Sequence, residues 1–252
     1  MEDLPESRTR MTLILTDISR HGVVMAADTA ESIEADTESG RKLRVSFGMK
    51  KLQRFSSLPG MVGTWGFGKI GLTPTDLWME DFITRHGHIA SLEKAAYTLR
   101  STVQKIHGAA GAPELGFRVS GYESKKDRLM PVSYKICNYD SRGGALSEFE
   151  LFRQTRFSDL AHAPWSIADG DTTYYQLAAT PDFLQRLQTS SGTYPVPADS
   201  LRSRADFLVA WIRFISDLQH CAGLMRSIGG SPLLITIDKA GGVMDDSGYS
   251  SK

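Results

Sequence analysis

The chain has 252 residues, and its 29 Lys and Arg residues balance its 29 Asp and Glu residues, so the formal net charge is zero. This balance excludes the basic footprint of a nucleic-acid-binding domain, and it argues against an acidic disordered chain. A hydrophobic content of 41% and the absence of a visible linker favour one large α+β domain. Two cysteines are too few for a disulfide framework, which predicts a reducing, cytoplasmic location.

The two ends of the chain differ in composition from the part between them. Residues 1–11 lack the basic start and the apolar run of a secretory signal, and no stretch reaches the ~18–20 apolar residues of a membrane span. The sequence therefore predicts no membrane partner. It also predicts a removable or disordered segment over residues 1–11, a single domain over 12–244 and a polar tail over 245–252.

Short β-branched apolar runs dominate the first quarter of the chain. They predict strands over residues 11–18, 23–28, 49–55 and 61–65. The polar residues 31–44, between the second and third of these runs, are predicted to form a loop.

Two helices are predicted next. The first begins at Thr73-Pro-Thr-Asp76, where a threonine can cap the helix and a proline suits the first helical position. The second has apolar residues at helical spacing from Leu92 to Ile106.

The second half of the chain returns to strands before it ends on helices and one more strand. Strands are predicted over 116–122, 129–138, 146–154, 165–168 and 232–238, and helices over 173–188 and 200–220. Strands and helices thus come in blocks and do not alternate. This order disfavours a doubly wound parallel sheet and favours a four-layer αββα sandwich of two antiparallel sheets flanked by helices.

Two short motifs suggest chemistry that their context does not support. Residues 66–71 read G-x-G-x-x-G, but a dinucleotide fingerprint needs a βαβ unit, so a glycine-rich bend is the stronger interpretation. His86 and His88 are close in sequence, but no carboxylate stands at ligand spacing. No cofactor and no metal is predicted.

Thr12 stands among residues that suit attack on an amide. Alone it would be a β-branched residue at a strand start. However, Asp28 follows 16 residues later at the end of the next apolar run, Lys50-Lys51 opens the third strand, and the glycine-rich residues 63–68 end the fourth. A hydroxyl, a carboxylate, a lysine and backbone N–H groups for an oxyanion are the groups that such a reaction needs.

These residues carry a resemblance to a known family. The segment 12–28, especially His21-Gly-Val-Val-Met-Ala-Ala-Asp-Thr29, resembles the N-terminal segment of proteasome β-type subunits and of the related bacterial HslV peptidase. Lys51 resembles the catalytic lysine of that family, and the residues from Gly63 onward resemble its oxyanion turn. Residues 120–123 and 227–230 match the family's later hairpin and loop more loosely.

The resemblance implies an N-terminal-nucleophile hydrolase fold and threonine-type endopeptidase activity. In that mechanism the Thr12 hydroxyl attacks the peptide carbonyl, and the free α-amino group of Thr12 takes the proton. Asp28 holds Lys51, whose charge lowers the pKa of the amine and of the hydroxyl. The N–H of Phe67 or of Gly66 holds the oxyanion. The resemblance also implies peptides or unfolded proteins as substrates, homo-oligomeric rings, and an ATP-dependent unfoldase as a candidate partner.

Several positions depart from the family pattern. Asp169 stands where a serine is expected, and Met225 and Ile228 stand where the family has an Asp and a Ser. Met11 precedes Thr12, where self-processing members have a glycine, so removal of an initiator Met11 and self-cleavage both remain open. Three alternatives therefore stand beside the peptidase: an inactive structural subunit, a small-molecule amidase of the same fold, and an unrelated α+β protein.

Overall fold

A computed structural model of the chain describes residues 12–37, 40–108, 112–125, 128–139, 145–154, 165–170, 200–221 and 228–245. Two five-stranded antiparallel sheets contain most of the described strands. The first sheet has the spatial order β12 (Trp165–Gly170), β1 (Leu13–Ser19), β2 (Gly22–Ala27), β13 (Leu233–Asp238) and β14 (Val243–Asp245). The second has the order β11 (Ala145–Gln154), β10 (Arg128–Tyr139), β9 (Leu115–Lys125), β6 (Gly60–Gly66) and β5 (Leu52–Arg54).

The remaining described elements are two short two-stranded ribbons and three helices. The ribbons pair β3 (Ala30–Thr37) with β4 (Gly40–Phe47) and β7 (Lys69–Ile70) with β8 (Thr73–Pro74). The helices are α1 (Thr75–Arg85), α2 (Leu92–His107) and α3 (Leu201–Cys221). None of these described helices has the length and apolar character that crossing a membrane requires.

Strand β1 shows how the first sheet buries both of its faces. Successive side chains of a strand point to opposite faces of the sheet. Leu13 and Leu15 pack in a cluster with Ile212 of α3, whereas Ile14 and Ile18 pack in the cluster that the two sheets share. Because both faces of β1 pack against apolar side chains, its sequence does not alternate between polar and apolar residues.

The second sheet is likewise covered on two sides. Phe117 and Val119 of β9 pack in a cluster with Leu99 of α2, and Met61 and Trp65 of β6 pack in the cluster shared with the first sheet. The α+β class and the two antiparallel sheets are therefore confirmed. The complete four-layer arrangement stays a prediction, because the helix predicted over 173–188 lies outside the described residues.

Residues 31–44 do not form the predicted loop. Strands β3 and β4 pair along their whole length, from Ala30 opposite Phe47 to Thr37 opposite Gly40. The expectation was wrong because it was based on polar composition, whereas an antiparallel ladder is held by main-chain groups. This ribbon connects Asp28 to Lys51.

The first predicted helix begins later than expected. Thr73 and Pro74 form β8, the helix starts at Thr75, and Pro74 occupies the N-cap position without a side-chain hydrogen bond. Thr73 therefore lies one residue before the N-cap, where it pairs with Ile70, and a residue before proline favours this extended conformation. The second helix is confirmed, with Ser91 accepting a hydrogen bond from the Lys94 N–H at its start.

Candidate active site

A buried ion pair lies where β1 begins and β2 ends. The Lys51 ammonium donates to both carboxylate oxygens of Asp28, at 3.0 Å each, and the two side chains are 1% and 0% exposed. The same carboxylate accepts the N–H groups of Leu13 at 2.9 Å and Ala30 at 3.0 Å. Asp28 therefore joins Lys51 to the first residue of β1.

Thr12 is placed beside this pair by the pairing of β1 with its neighbours. It immediately precedes β1 and is 5% exposed, and the Asp28 N–H donates to the Leu13 carbonyl at 3.3 Å. On the other side, Gly170 of β12 lies opposite Leu13, and a Cβ on Gly170 would collide with the Thr12 carbonyl oxygen. Three of the predicted site residues, Thr12, Asp28 and Lys51, thus belong to one place.

The loop after α3 supports Asp28 from behind. The Gly229 N–H donates to the Asp28 carboxylate at 3.4 Å, and the Gly229 carbonyl accepts the Thr29 N–H at 2.9 Å. The Gln219 side chain of α3 accepts the Ile228 N–H at 3.0 Å. Ile228 is fully buried against the first sheet, so its side chain contributes packing to this loop. Met225, the other altered position, lies outside the described residues.

Burial shifts both members of the ion pair toward their neutral forms. It lowers the pKa of the Lys51 ammonium and raises the pKa of the Asp28 carboxyl, because both charged forms lose their hydration. The attraction between the two groups opposes each shift. A lysine whose pKa is lowered in this way exchanges its proton more readily than one in water, which suits a group beside a nucleophile.

The two candidate oxyanion donors point in different directions. The Phe67 N–H donates to the Glu114 carbonyl at 2.8 Å and is therefore occupied. Successive N–H groups of an antiparallel strand point to opposite sides, so the N–H of Gly66 points away from β9. Gly66 is exposed and has φ of 93°, and a Cβ there would collide with the Glu114 carbonyl. Of the two, only the Gly66 N–H is directed away from β9.

Asp169 belongs to a different ion pair. Its carboxylate accepts two hydrogen bonds of 2.7 Å from the Arg118 guanidinium, and the two side chains are 2% and 1% exposed. Asp169 lies opposite Ile14 in the pairing of β12 with β1, so its side chain shares the face that Ile14 turns to the second sheet. Asp169 therefore lies opposite the residue that is two positions after Thr12 along β1, and it binds Arg118 of β9.

The histidines that the sequence brought forward, His21, His86 and His88, are all among the described residues. His21 follows β1 at the end opposite Thr12, and seven strand residues span about 20 Å, so His21 is out of reach as a base. The rings of His86 and His88 lie 6.3 Å apart beyond α1. Within the described ranges, no three His, Cys, Asp or Glu side chains are grouped as metal ligands would be.

Two residues near the site were not predicted from the sequence. Arg118 had a visible signal, because it is a charged residue inside the apolar run that forms β9. Gln219 had none, because a polar residue near the end of an amphipathic helix is ordinary.

A surface pocket of about 400 Å³ lies apart from the site, and its lining includes Leu201, Ala205, Leu234, Thr236 and Met244.

Comparisons with known proteins give a likeness of fold. No protein-family model matches the chain. No curated protein matches it either. A solved structure of the Gly-1 mutant of Anbu from Hyphomicrobium sp. strain MC1 matches with a TM-score of 0.54 and 15% identity. The match covers 95% of this chain and 90% of that chain.

These findings correct the family assignment made from the sequence. The assignment to proteasome β-type subunits and HslV is wrong, because the solved structure that the chain matches is that of Anbu. The supported statement is coarser: the chain is similar in fold to Anbu.

Proposed function

We propose that this protein is an N-terminal-nucleophile hydrolase that cleaves peptide bonds with Thr12 as its nucleophile. The observation that carries the proposal is the buried Lys51–Asp28 pair, which is bonded through Leu13 to the start of β1. Two charges removed from water need a strong reason to stay buried, since well-packed apolar residues often stabilise a fold as well. Chemistry at the adjoining Thr12 supplies such a reason. The likeness to Anbu supports the hydrolase class.

The reaction has two stages. In the first, the Thr12 amine takes the hydroxyl proton as the Thr12 oxygen adds to the substrate carbonyl, and the Gly66 N–H binds the oxyanion. The peptide C–N bond then breaks, the proton passes to the leaving amine, and an ester on Thr12 remains. In the second stage, water adds to the ester, and its proton returns to Thr12 through the same amine. The charge of Lys51 lowers the pKa of the Thr12 amine throughout.

The amine must be released before it can act. In the 252-residue chain the Thr12 nitrogen is bonded to Met11, and an amide nitrogen does not accept a proton at neutral pH. A free α-amino group has an ordinary pKa near ~8, close to the working range. We therefore propose that residues 1–11 are removed from the active form, and that residues 12–244 form its single four-layer αββα domain.

We also propose peptides or unfolded proteins as substrates, assembly into homo-oligomeric rings in the cytoplasm, and an ATP-dependent unfoldase as a partner. Exposed apolar side chains support an assembly: Leu72, in the turn between β7 and β8, is 98% exposed, Leu77 of α1 55% and Ile106 of α2 48%. Exposed apolar side chains that lie together mark contact surfaces. Sedimentation that finds only the 27.8 kDa monomer at micromolar concentration would refute the rings and leave the hydrolase untouched.

The test compares three versions of the protein: one that begins Met11-Thr12, one that begins at Met1, and Thr12→Ala in the first. Each is assayed against fluorogenic peptides and against simple acyl amides, and intact mass records where each chain begins. Peptide cleavage by the first version alone supports the proposal. Turnover of simple amides alone would favour a small-molecule amidase.

Two further outcomes would overturn the mechanism. No turnover in any version, with mass showing a free Thr12, favours an inactive structural subunit. Equal activity in a protein whose mass shows that residues 1–11 are retained would refute an N-terminal nucleophile. A carboxylate such as Asp28 or Asp169 would then be the next candidate.

A further inference from the structure

Among the described residues that are less than 2% exposed, Arg118 has the largest side chain. It is 1% exposed, and its guanidinium donates to both oxygens of Asp169, to Ser133 Oγ at 3.3 Å and to Gln154 Oε1. Lys135, which is 28% exposed, adds a second cation 3.8 Å from Asp169. A planar guanidinium that binds a carboxylate through two parallel hydrogen bonds fixes the direction of that carboxylate as well as its position.

This ion pair joins the two sheets at the strands that carry the proposed site. Arg118 lies on β9, which pairs with β6, the strand that ends at Gly66. Asp169 lies on β12, which pairs with β1, the strand that follows Thr12. A tie between β9 and β12 therefore fixes the distance between the proposed nucleophile and the proposed oxyanion donor.

The contact from β12 to the nucleophile is made by the next residue. Gly170 has φ of 87°, which favours glycine, and it lies so close to the Thr12 carbonyl that a Cβ would not fit. The fixed Asp169 carboxylate thus holds Gly170, and Gly170 forms one wall against the Thr12 backbone.

We infer that Arg118 and Asp169 are positioning residues, which set the start of β1 so that Thr12 faces Gly66. The inference rests on the proposed function, and it gives Asp169 a different role from that of a group that touches substrate. A reacting group that moves by about 1 Å can lose on the order of 100-fold in rate, so a positioning pair has a measurable effect.

The variants separate position from stability. Arg118→Met leaves Asp169 buried without its partner, whereas Arg118→Met/Asp169→Leu removes both charges and is expected to fold, because apolar replacements of a whole buried pair are often neutral. Arg118→Lys keeps the charge and loses the two-pronged geometry. The matched control is Asp17→Asn, which weakens another buried arginine pair of the same sheet on the face toward α3.

Two readouts are measured on the protein that begins Met11-Thr12. The first is the acylation rate of Thr12 by a peptide β-lactone, followed by intact mass. In this reaction the Thr12 oxygen adds to the lactone carbonyl, the ring C–O bond breaks, and the new hydroxyl takes the proton, so the mass rises by that of the whole lactone. The second is amide hydrogen exchange in peptides that contain residues 12–16.

We expect the double variant to fold, to be acylated ~10–100-fold more slowly, and to exchange faster over residues 12–16. The acylation rate of Arg118→Lys should lie between those of the double variant and the unchanged protein. Asp17→Asn should be acylated within ~3-fold of the rate of the unchanged protein. Equal slowing in Asp17→Asn, or full-rate acylation in the double variant, would overturn the inference. If the unchanged protein is not acylated at Thr12, the proposed function fails. In that case amide hydrogen exchange alone tests the positioning role. Exchange over residues 12–16 that is the same in the double variant as in the unchanged protein would refute it.

Discussion

Asp17 lies on β1, and Asp28 directly follows β2, the neighbouring strand of the same sheet. Both side chains are fully buried, yet they bind different cations. Asp28 binds the Lys51 ammonium and accepts three backbone N–H groups, those of Leu13, Ala30 and Gly229. Asp17, in the middle of β1, binds the Arg204 guanidinium of α3, with a hydrogen bond of 2.9 Å from Ser166. The chain thus uses one kind of pair beside Thr12 and another where a helix is attached.

The difference lies in what each cation can do. A guanidinium stays charged and offers donors in a fixed plane, so the Asp17–Arg204 pair can only hold β1 against α3. The pKa of a lysine ammonium shifts readily on burial, and burial lowers the pKa of Lys51 from its ordinary value. The comparison teaches that the choice of lysine or arginine separates the pair suited to chemistry from the pair suited to attachment.

The largest expected effect comes from removing one cation from each pair. Lys51→Met should lower kcat/KM by about 1000-fold, because the pair beside Thr12 loses its charge. It should also lower the free energy of unfolding by ~3–5 kcal/mol, because Asp28 stays buried without a partner. Arg204→Met should destabilise by a similar ~3 kcal/mol and change kcat/KM less than ~3-fold. Urea unfolding and peptide cleavage by the folded protein measure both quantities.

Lys51→Met/Asp28→Asn is the control for lost folding, since it removes both charges from the site. If it folds and stays inactive, the loss is chemical. If Arg204→Met proves as inactive as Lys51→Met, the two pairs do not differ in the way that we describe.

The next effect asks how far the site extends onto the second sheet. Gly66→Ala places a Cβ against the Glu114 carbonyl at φ of 93°, so the N–H must move. We expect kcat to fall ~100-fold, as for the loss of an oxyanion donor, and stability to fall by about 1–3 kcal/mol. Phe67→Ala is the control, because it keeps the occupied N–H and removes only a half-exposed ring. A larger loss of kcat in Phe67→Ala than in Gly66→Ala would contradict the assignment to Gly66.

A change of cation type tests the role of protonation directly. The activity should rise with pH as the Thr12 amine loses its proton, and fall again as Lys51 loses its charge. Because burial lowers the pKa of Lys51, the alkaline fall should come below the ordinary lysine range. Lys51→Arg keeps its charge at all these pH values, so its residual activity should lack that fall. An identical alkaline fall in the variant would assign it to another group.

The smallest effect concerns the pair that we regard as structural. Ser166→Ala removes one of the hydrogen bonds to Asp17 while Arg204 remains in place. Thermal unfolding should show a loss of about 1 kcal/mol, and peptide cleavage should be unchanged. A clear fall in kcat would mean that the Asp17 pair also influences Thr12.

Elements with an apolar face were predictable, whereas elements held mainly by their backbone were not. The strand Leu13–Ser19 is visible as a short β-branched apolar run, and the helix Leu92–His107 has apolar residues at the helical period. The ribbon of β3 and β4 has no such pattern, because its two polar strands pair with each other. The short strand β14 was missed for a related reason, since three residues are too few to show alternation.

The sequence by itself determined the α+β class, and its short motifs indicated that Thr12, Asp28 and Lys51 belong together. These residues flank apolar strands. Antiparallel pairing places the start of one strand beside the end of the next, at the same end of the sheet. Only the tertiary structure decided which N–H is available and which carboxylate is committed to an arginine. The Phe67 N–H is occupied because β6 pairs with β9, and Asp169 meets Arg118 because the two sheets stack. Both depend on contacts between residues far apart in the chain, which no local pattern records.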